Sequence, residues 1–529
     1  MSHVVLIADG LAKGGIAKLQ DVPEIEVWER TGISREELEQ VLPEVDVLIV
    51  RSRTQVDKEL LKKGTRLKLV IRAGIGLDNV DSDSATDCGV IVMNAPTGNI
   101  VTTAEHTLAL MFSATRNIPA ADASIRAGRW DKKKFQGNEL CGKTLGLVGL
   151  GNIGRTVAQR AQGLGMRVIG HDPYLSEEKA AKYDIGLVEM DRLLSESDYL
   201  SVHVPLTKAT HHLINKDSIE KMKKGAYLIN CARGGIVDES ALLDALNSGK
   251  LSGAALDVFE EEPPSENNPL LKCDKVVLTP HLGASTDEAQ IQVGFEVAEQ
   301  LTAFVREGAM KNAINVPNIS KELLNLLRAH LQLCERLGSF TAQLASPDKV
   351  KQIRIQFEGE WPTQDRSILS LSILKGFLTP MLSTSVNYVN ARKLLKERGI
   401  RFEESMRESC DDYQCAVTIT VEGKETIHCT GTLFGKEEPR IVRVDNFVID
   451  AIPRGHLLFT RNIDQPGVIG QLGSALSDSG VNIARMHLGR DEEKGRAIAV
   501  INIDSEISDE NLNKIRQIPG MLDARQIEL

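Results

Sequence analysis

A glycine-rich turn after a buried apolar run constrains the fold of this chain more than any other feature. The run covers residues 145–148, and Gly149, Gly151 and Gly154 follow it with the spacing G-x-G-x-x-G. The first glycine allows a tight turn, the second lets the backbone approach a pyrophosphate, and the third allows close packing of the helix predicted for residues 155–164. The pattern predicts a strand–turn–helix unit that binds a dinucleotide, although an ordinary strand–turn–helix corner can carry the same glycines.

An acidic residue supports the dinucleotide interpretation and selects the cofactor. A second strand is predicted for residues 166–170, and Asp172 follows it, 18 residues after Gly154. An acid at this distance can accept hydrogen bonds from both ribose hydroxyls, and it repels the additional phosphate of NADP. Strand, helix, second strand and acid in register therefore predict an NAD site.

Length, charge and cysteine usage limit the classes of protein to consider. A chain of 529 residues is too long for one hydrophobic core, so we expect about three or four domains. A net charge of −10 argues against general binding to nucleic acid or to an anionic membrane, and no apolar run approaches the ~20 residues of a membrane-spanning helix. The eight cysteines lack C-x-x-C pairs, so neither a zinc site nor a disulfide framework is indicated. The N-terminal residues lead directly into a predicted strand without a signal sequence, so we expect a cytoplasmic protein. Because the cysteines do not indicate a metal site, we also expect no bound metal.

Two arginines end neighbouring strands of an N-terminal α/β region. Short strands and helices alternate over residues 1–98, which is typical of an open parallel sheet. Arg51 ends the third predicted strand and Arg72 the fourth, and ligands of such sheets gather at the carboxyl ends of the strands. The two arginines therefore indicate an anionic ligand, with two solvated surface arginines as the alternative. The strands are predicted at residues 3–8, 26–28, 47–50, 69–72 and 90–93, and the helices at 34–41 and 57–63.

The dinucleotide unit belongs to a longer run of alternating strands and helices. The alternation predicts a doubly wound sheet of six strands, preceded by a long helix at residues 101–115. A further helix is predicted at residues 286–306, and turn residues at 315–319 mark a domain boundary. The strands of this sheet are predicted at residues 145–148, 166–170, 200–204, 227–230, 253–256 and 276–278.

Two α+β segments follow this boundary. The last of them, residues 456–529, has the order βαββαβ, which is the ferredoxin-like arrangement. Residues 464–467 form a turn before its first helix, where free N–H groups could hold a carboxylate, although an ordinary capped turn is the simpler interpretation. Its elements are predicted at residues 457–463, 468–479, 483–488, 496–503, 509–517 and 524–528. The preceding segment has predicted helices at 323–344 and 391–398, a strand at 350–357, and an antiparallel part over 416–448 with a hairpin of strands 417–421 and 426–430.

Three strand ends after the glycine-rich turn carry residues suited to the oxidation of an alcohol. Arg233, Glu262 and His281 each follow a predicted strand, so the three side chains point to one crevice. The reaction needs a base for the hydroxyl proton, and histidine titrates in the useful range. A carboxylate bonded to its other ring nitrogen fixes the tautomer and raises the histidine pKa, and an arginine can hold a substrate carboxylate through two parallel hydrogen bonds.

Together these motifs resemble the D-2-hydroxyacid dehydrogenase family over residues 1 to about 317. The stretches Arg233-Gly-Gly, Glu262-Pro-Pro and Pro-His281-Leu-Gly-Ala carry the resemblance, which implies that these three residues form a catalytic trio. It also implies a Rossmann-type NAD domain at residues 99–286 and a flavodoxin-like α/β substrate domain made of residues 1–98 and 287–317. The cofactor-binding residues that it implies are Gly149, Gly151, Asn152, Ile153, Gly154, Asp172, Val204, Cys231, Ala232, Arg233, Asp257, His281, Gly283 and Ala284.

The complete layout is similar to that of the long members of this family, which act on 3-phospho-D-glycerate. That resemblance implies an α+β intervening domain at residues 318–451 and an ACT domain at 452–529. It also implies L-serine as an effector and assembly into a homo-oligomer, a dimer or a tetramer. The residues that it implies for the substrate are Arg51, Arg72, Asn99, Arg233 and His281, and those for the effector are Asn462, Asp464 and Asn482.

Three functional interpretations follow from these observations. The leading one is NAD-dependent oxidation of 3-phospho-D-glycerate to 3-phosphooxypyruvate, the first step toward L-serine. Another D-2-hydroxyacid dehydrogenase, such as a glyoxylate or hydroxypyruvate reductase, explains the first 317 residues but gives the remainder no purpose. A non-enzymatic NAD sensor similar to corepressors of the same fold is the third, and the predicted ACT domain together with Arg51 and Arg72 favours an enzyme over it.

Overall fold

The computed structural model describes residues 2–345, 350–382, 385–435, 437–491 and 495–529. It separates into two compact units, which we describe one at a time. The first unit comprises Met1–Gly10, Leu19–Asn94 and Ala298–Leu529, and the second comprises Leu11–Lys18 and Ala95–Val297. The domain boundaries at residues 98, 286, 317 and 451 stay predictions.

The N-terminal part of the first unit is a parallel sheet of five strands in the order β2-β1-β3-β4-β5. This is the flavodoxin-like order, as the sequence predicts. Side chains of the central strand β3 are buried along its whole length, because helices cover both faces of a sheet of this kind. The strands are β1 (His3–Ile7), β2 (Ile25–Glu29), β3 (Val47–Val50), β4 (Leu69–Arg72) and β5 (Ile91–Asn94). The helices are α2 (Arg35–Val41), α3 (Lys58–Lys63) and α4 (Ser82–Asp87), whereas most of α1 (Lys13–Gln20) belongs to the second unit.

The second unit is built on a parallel sheet of seven strands in the order β12-β11-β10-β9-β6-β7-β8. The order reverses between β6 and β9, which is the switch point where Rossmann-type sheets bind dinucleotides. The sheet has one strand beyond those placed from the sequence, where roughly six were expected, because β8 has only two residues and no alternating pattern marks it. The strands are β6 (Thr144–Val148), β7 (Arg167–His171), β8 (Gly186–Leu187), β9 (Tyr199–Val202), β10 (Ala226–Asn230), β11 (Leu251–Leu256) and β12 (Val276–Leu278).

Helices lie along this sheet, and two hydrophobic clusters mark its two buried faces. The helix before the glycine-rich turn, α5, buries Ala104, Leu108 and Met111 in one of these clusters. The helices are α5 (Ile100–Thr115), α6 (Ile118–Arg126), α7 (Asn152–Gly163), α8 (Glu177–Ala181), α9 (Met190–Glu196), α10 (Lys216–Lys221) and α11 (Glu239–Ser248). Helix α12 (Asp287–Glu307) begins in this unit and continues into the first from Ala298.

The intervening region of the first unit is a six-stranded sheet in the order β14-β13-β15-β16-β17-β18, and its described residues include three α-helices. Only the pair β13–β14 is parallel, so the predicted α+β character and the hairpin are confirmed. Helix α14 escapes the sequence analysis because it is buried almost all round and shows no amphipathic period. The elements are α13 (Lys321–Leu344), β13 (Gln352–Gly359), α14 (Ser367–Leu378), α15 (Ala391–Glu397), β14 (Arg401–Arg407), β15 (Cys415–Glu422), β16 (Thr426–Phe434), β17 (Glu438–Val444) and β18 (Phe447–Ala451).

The C-terminal region has the predicted ferredoxin-like order, with an antiparallel sheet β20-β21-β19-β22. It contacts the intervening region through its first and last strands. Phe459 meets Phe340 edge to face with ring centroids 6.3 Å apart, and the Gln343 side chain donates to the carbonyl of Glu528 at 2.8 Å. The elements are β19 (His456–Ile463), α16 (Val468–Asp478), β20 (Ile483–Asp491), β21 (Arg496–Ile503), α17 (Asp509–Arg516) and β22 (Met521–Glu528). Within the described residues, no helix combines the length and apolarity that crossing a membrane requires.

Two glycines bring α13 and α14 into close contact. A methyl group at Gly338 would lie 2.2 Å from the Ile373 carbonyl oxygen, and one at Gly376 would lie 1.9 Å from that of Glu335. Backbone atoms cannot yield as flexible side chains do, so each glycine sets the distance between the helix axes.

We expect Gly338→Ala to lower the free energy of unfolding by about 1–3 kcal/mol, because overpacking forces the two helices apart. Urea denaturation followed by circular dichroism measures the change. Gly470→Ala is the matched control, since a methyl group there meets no atom within 4 Å and α16 should gain roughly 0.5–1 kcal/mol from the better helix former. Equal effects of the two substitutions would contradict the packing argument.

Candidate active site

The three glycines of the turn after β6 have three different environments. Gly149 has φ +92°, and a methyl group there would lie 2.6 Å from the His203 carbonyl oxygen. A methyl group at Gly154 would lie 2.2 Å from the Gly149 carbonyl oxygen, so this glycine is what allows α7 to approach the strand. At Gly151 a methyl group would meet nothing within 4 Å, and no side chain caps the N-terminus of α7. The turn therefore offers open space and free N–H groups, which suit a pyrophosphate.

Asp172 stands immediately after β7 and beside this turn. Its carboxylate accepts hydrogen bonds from the backbone N–H groups of Leu150 and Tyr174, each at 2.9 Å. Two backbone donors fix the orientation of the carboxylate and leave lone pairs for the ribose hydroxyls of a dinucleotide. The geometry fits the predicted role of Asp172.

The remaining residues predicted to bind the cofactor follow the carboxyl ends of neighbouring strands or begin α7. Cys231 follows β10, and burial raises the pKa of its thiol to about 12. A thiol with such a pKa is protonated at neutral pH, so Cys231 is not suited to act as a nucleophile, and its role in binding the cofactor stays a prediction. Of the others, Asn152 and Ile153 open α7, Val204 lies beyond β9, Ala232 beyond β10, Asp257 beyond β11, and Gly283 and Ala284 beyond β12.

His281 and Glu262 form a short hydrogen bond. Nδ1 of His281 lies 2.6 Å from Oε2 of Glu262, and the other carboxylate oxygen accepts from the backbone N–H of Phe259 at 3.1 Å. The hydrogen bond that His281 donates to Glu262 raises the pKa of His281, and burial opposes it only in part. Burial raises the pKa of Glu262, but the bond from His281 outweighs it and the pKa falls below its ordinary value. The side chains are 47% and 36% exposed, so the pair remains accessible to a substrate.

The backbone of His281 adopts a left-handed conformation with φ +54°. Such a conformation is uncommon for a residue with a side chain and persists where surrounding contacts impose it. Here the N–H of His281 donates to the backbone carbonyl of Asp257 at 2.9 Å. The loop after β12 is therefore tied to the end of β11.

Arg233 lies in a loop that is fixed at both sides. The Asn230 side chain donates to the Arg233 carbonyl at 2.9 Å and accepts from the N–H of Ala232 at 3.0 Å. A methyl group at Gly234 would lie 1.6 Å from the Phe259 carbonyl oxygen, so glycine allows this loop to contact the loop that carries Glu262. The charge of Arg233 lowers the pKa of both Glu262 and His281, although it is a minor cause in each. The structure thus brings the predicted trio together in the second unit.

Asp257 has a role that the sequence analysis did not foresee. Its carboxylate is fully buried and accepts from the Thr279 hydroxyl at 2.5 Å and from the Gly283 N–H at 2.8 Å. Nε2 of His106, on α5, lies 3.1 Å from the same carboxylate. Thr103, one helical turn earlier, donates to the Gly283 carbonyl at 2.9 Å. A Thr–His pair spaced i, i+3 on one helix face is the only signal for these residues in the sequence, and it is too common to identify them.

The predicted substrate residues Arg51 and Arg72 lie in the first unit, at adjacent strand ends. Arg72 on β4 lies opposite Val50 on β3, and Arg51 is the residue that follows Val50 in the chain. The backbone N–H of Arg51 donates to Asp9 at 2.7 Å. Burial lowers the pKa of Arg51, against the opposing charge of Asp9, so an anionic ligand would be favourable here.

Asn99, the third predicted substrate residue, belongs to the second unit and precedes α5. It is 7% exposed, and its Oδ1 has no hydrogen-bond partner in the described part of the chain. A buried carbonyl oxygen of this kind is suited to a ligand donor. The roles of Arg51, Arg72 and Asn99 in binding substrate stay predictions.

The predicted effector residues belong to the C-terminal region of the first unit, where Asn462 and Asp464 precede α16 and Asn482 follows it, at the opposite end of the sheet. Asp464 accepts from the Arg490 guanidinium at 2.7 Å, and Asn482 donates to Asp504 at 2.7 Å. Asn462 is 3% exposed, and its Oδ1 lacks a partner among the residues described. Gly467 caps α16 with φ +96° and no side-chain bond. Effector binding by Asn462, Asp464 and Asn482 stays a prediction.

Three family models match consecutive parts of the chain. The NAD binding domain of D-isomer specific 2-hydroxyacid dehydrogenases matches residues 108–283. The D-3-phosphoglycerate dehydrogenase intervening domain matches residues 326–445, and the ACT domain matches residues 456–520. These matches confirm the predicted NAD cofactor and the presence of an intervening and an ACT domain.

Relatives match the whole length of the chain. The D-3-phosphoglycerate dehydrogenase of Archaeoglobus fulgidus is 41% identical over 99% of this chain and 100% of its own. The chain belongs to the D-3-phosphoglycerate dehydrogenase family. Members with this name from Methanocaldococcus jannaschii, at 42% identity, and Bacillus subtilis, at 41%, each match 99% of both chains.

Solved structures resemble the dehydrogenase part of this family member. The D-lactate dehydrogenase of Aquifex aeolicus, complexed with NAD and lactic acid, is 29% identical with a TM-score of 0.52, over 60% of this chain and 100% of its own. A glyoxylate reductase from Paecilomyes thermophila is 31% identical with a TM-score of 0.55, over 59% and 98%. The predicted α/β dehydrogenase fold is confirmed, and an enzyme is favoured over a non-enzymatic sensor.

We expect Glu262→Gln to shift the rising limb of the pH–rate profile to lower pH. The base must be unprotonated, so turnover rises as pH passes through the pKa of His281, and Glu262 holds this pKa above its ordinary value. Without the carboxylate the pKa falls, and the limb moves down with it. The measurement is kcat/KM against pH.

Glu260→Gln provides the matched control for this shift. Glu260 is close in sequence but pairs with His212 at 3.0 Å, away from the trio. Its removal should leave the limb in place. If the rising limb does not shift in Glu262→Gln, the Glu262 carboxylate does not set the pKa of His281.

Proposed function

We propose that this protein oxidises 3-phospho-D-glycerate at C2 to 3-phosphooxypyruvate with NAD, the first step of L-serine biosynthesis. The observation that carries the proposal is the His281–Glu262 hydrogen bond of 2.6 Å beside Arg233, in an NAD domain whose full-length relatives are D-3-phosphoglycerate dehydrogenases. The geometry supplies a base, a group that stabilises its charged form, and a cation for the substrate.

His281 would take the proton of the C2 hydroxyl. Its Nδ1 is bonded to Glu262, which leaves Nε2 to accept that proton. The resulting imidazolium is stabilised by the carboxylate 2.6 Å away, as the raised pKa of His281 indicates. When bound, the nicotinamide ring supplies the position that accepts the hydride from C2.

Charged side chains would hold the substrate. Arg233 is suited to the carboxylate next to C2, since a guanidinium binds carboxylates through two parallel hydrogen bonds. Arg51 and Arg72 would hold the phosphate, and the Asn99 side-chain N–H would donate to an anionic oxygen of the substrate. Two arginines at neighbouring strand ends favour a phosphorylated substrate over the small 2-hydroxy acids.

The turn after β6 would hold NAD. Gly149 and Gly151 leave the space for the pyrophosphate, the N–H groups of α7 point to it, and the Asp172 carboxylate would accept from the ribose. A fixed negative charge at Asp172 also disfavours the phosphate of NADP.

Finer features of the protein belong to the same proposal. We propose L-serine as the effector of the ACT domain, and a homo-oligomer, because the ACT model matches residues 456–520 and a D-3-phosphoglycerate dehydrogenase resembles this chain over its full length. A reducing, cytoplasmic setting fits the eight cysteines, all of which are free thiols.

Activity on a panel of hydroxy acids tests the proposal. With NAD, we expect 3-phospho-D-glycerate to be oxidised at least about ten-fold more efficiently than D-lactate, D-glycerate or glycolate, because these lack the phosphate that Arg51 and Arg72 would bind. NADH absorbance reports the rate. His281→Ala should reduce kcat by about 10²–10⁴-fold, the usual contribution of a general base. A preference for an unphosphorylated acid would point instead to another D-2-hydroxyacid dehydrogenase.

Substitution of Asp464 tests the role of serine. We expect Asp464→Ala to raise the serine concentration for half-inhibition at least about ten-fold, since it removes the carboxylate proposed for the amino group of serine. The KM for substrate should not change, because Asp464 is not among the residues proposed to bind the substrate. Asp478→Ala, an exposed position on α16, is the control. Unchanged inhibition in Asp464→Ala would place the effector elsewhere.

A further inference from the structure

His106 lies against the most deeply buried carboxylate of the site. Asp257 is 0% exposed, and its Oδ1 accepts from the Thr279 hydroxyl at 2.5 Å and the Leu282 N–H at 2.7 Å. Nε2 of His106 lies 3.1 Å from this oxygen and 3.2 Å from the Thr279 hydroxyl. These groups surround Asp257 in one hydrogen-bonded cluster.

We propose that His106 is a positioning residue, which fixes the segment 279–283 carrying His281 through its hydrogen bond to Asp257. For the reaction itself this inference rests on the function proposed above. The position of His281 does not depend on that function, because every contact in the argument lies within the second unit.

The segment 279–283 depends on Asp257 at several points. The carboxylate binds the Thr279 hydroxyl and the N–H groups of Leu282 and Gly283, and the Asp257 carbonyl binds the N–H of His281. Asp257 therefore fixes the chain on both sides of His281, whose backbone has φ +54°. Any rotation of the Asp257 carboxylate moves His281 relative to Glu262. The 2.6 Å bond between these two side chains leaves little room for such movement.

Helix α5 supplies further contacts to Asp257 and to this segment. His106 is 18% exposed at its side chain, so burial holds the ring in place. Thr103, one turn earlier, donates to the Gly283 carbonyl at 2.9 Å, so α5 contacts the segment at both Thr279 and Gly283. Without the imidazole N–H, the buried carboxylate would lose one donor and turn toward the others, because a buried charge needs every available hydrogen bond.

Electrostatics connects this cluster to the base. The groups that act on His281 are Glu262, which raises its pKa most, Arg233, which lowers it, and Asp257, which raises it. If the segment moves, the contact with Glu262 lengthens first and the pKa of His281 falls toward its ordinary value. The His281 pKa is therefore a direct readout of positioning.

Three substitutions at His106 test the proposal. We expect His106→Leu to lower kcat about ten-fold, since a hydrogen bond to a buried charge is lost, while the KM for substrate changes less than about three-fold. His106→Gln can place an amide N–H near the position of Nε2, so its kcat should stay within about three-fold of the native value. The side chain of His106→Asn is too short to place its amide near the position of Nε2, so this variant should behave as His106→Leu does. If His106→Leu does not fold, His106→Asn takes its place in the test.

A titration without substrate or cofactor gives the second readout. NMR of histidine-labelled protein follows the His281 imidazole, assigned by its absence in His281→Ala. We expect the His281 pKa to fall in His106→Leu and His106→Asn and to remain raised in His106→Gln. Glu105→Gln is the matched control, since Glu105 is adjacent but pairs with Arg160 at 3.3 Å.

Two outcomes would overturn the proposal. One is a His281 pKa and kcat that are unchanged in His106→Leu and His106→Asn, since the hydrogen bond would then position nothing. The other is His106→Gln as impaired as His106→Leu, which would assign the effect to the ring's volume. If the native protein fails to oxidise 3-phospho-D-glycerate, the proposed function falls, whereas the titration still decides the role of His106.

Discussion

The parallel register of the second sheet is the constraint on which the candidate site depends. Val148 pairs with Val202, Val202 with Asn230, Asn230 with Leu256 and Leu256 with Leu278. The next residue of each strand therefore lies at the same sheet edge. These five residues are Gly149, His203, Cys231, Asp257 and Thr279. A slip of one residue in any strand would separate these groups, which are far apart in sequence. Because burial of the apolar side chains fixes the strand register, it also fixes the positions of the groups in the site.

This dependence explains how much of the site the sequence predicts. Apolar strands followed by glycine, arginine or histidine are local patterns, and the rule that ligands gather at carboxyl ends of parallel strands converts them into a common site. The hydrogen bond between Glu262 and His281, 19 residues apart, is the result. The roles of Gly149 and Gly154 are likewise readable from their spacing, because the turn and the close helix approach are local requirements.

Other features cannot be read from the sequence, for physical reasons. Strand β8 is two residues long, and α14 is apolar on all sides, so neither has a period to detect. His106 lies 151 residues from Asp257, and only the packing of α5 on the sheet brings them together. Asp464 looks like an unpaired acid in a turn, but Arg490 reaches it from β20, 26 residues later. Tertiary contacts of this kind have no local signature.

The two carboxylates near the base divide their tasks according to burial. Asp257 is 0% exposed and uses its oxygens on backbone and hydroxyl donors, so it organises the loop and remains charged. Glu262 is 36% exposed and directs one oxygen to His281, so it responds when the base gains a proton. Exchanging these environments would fail in both places: a half-exposed Asp257 would release the loop, and a fully buried Glu262 would be costly to keep ionised. The depth of each carboxylate in the fold therefore determines whether it positions the base or stabilises it.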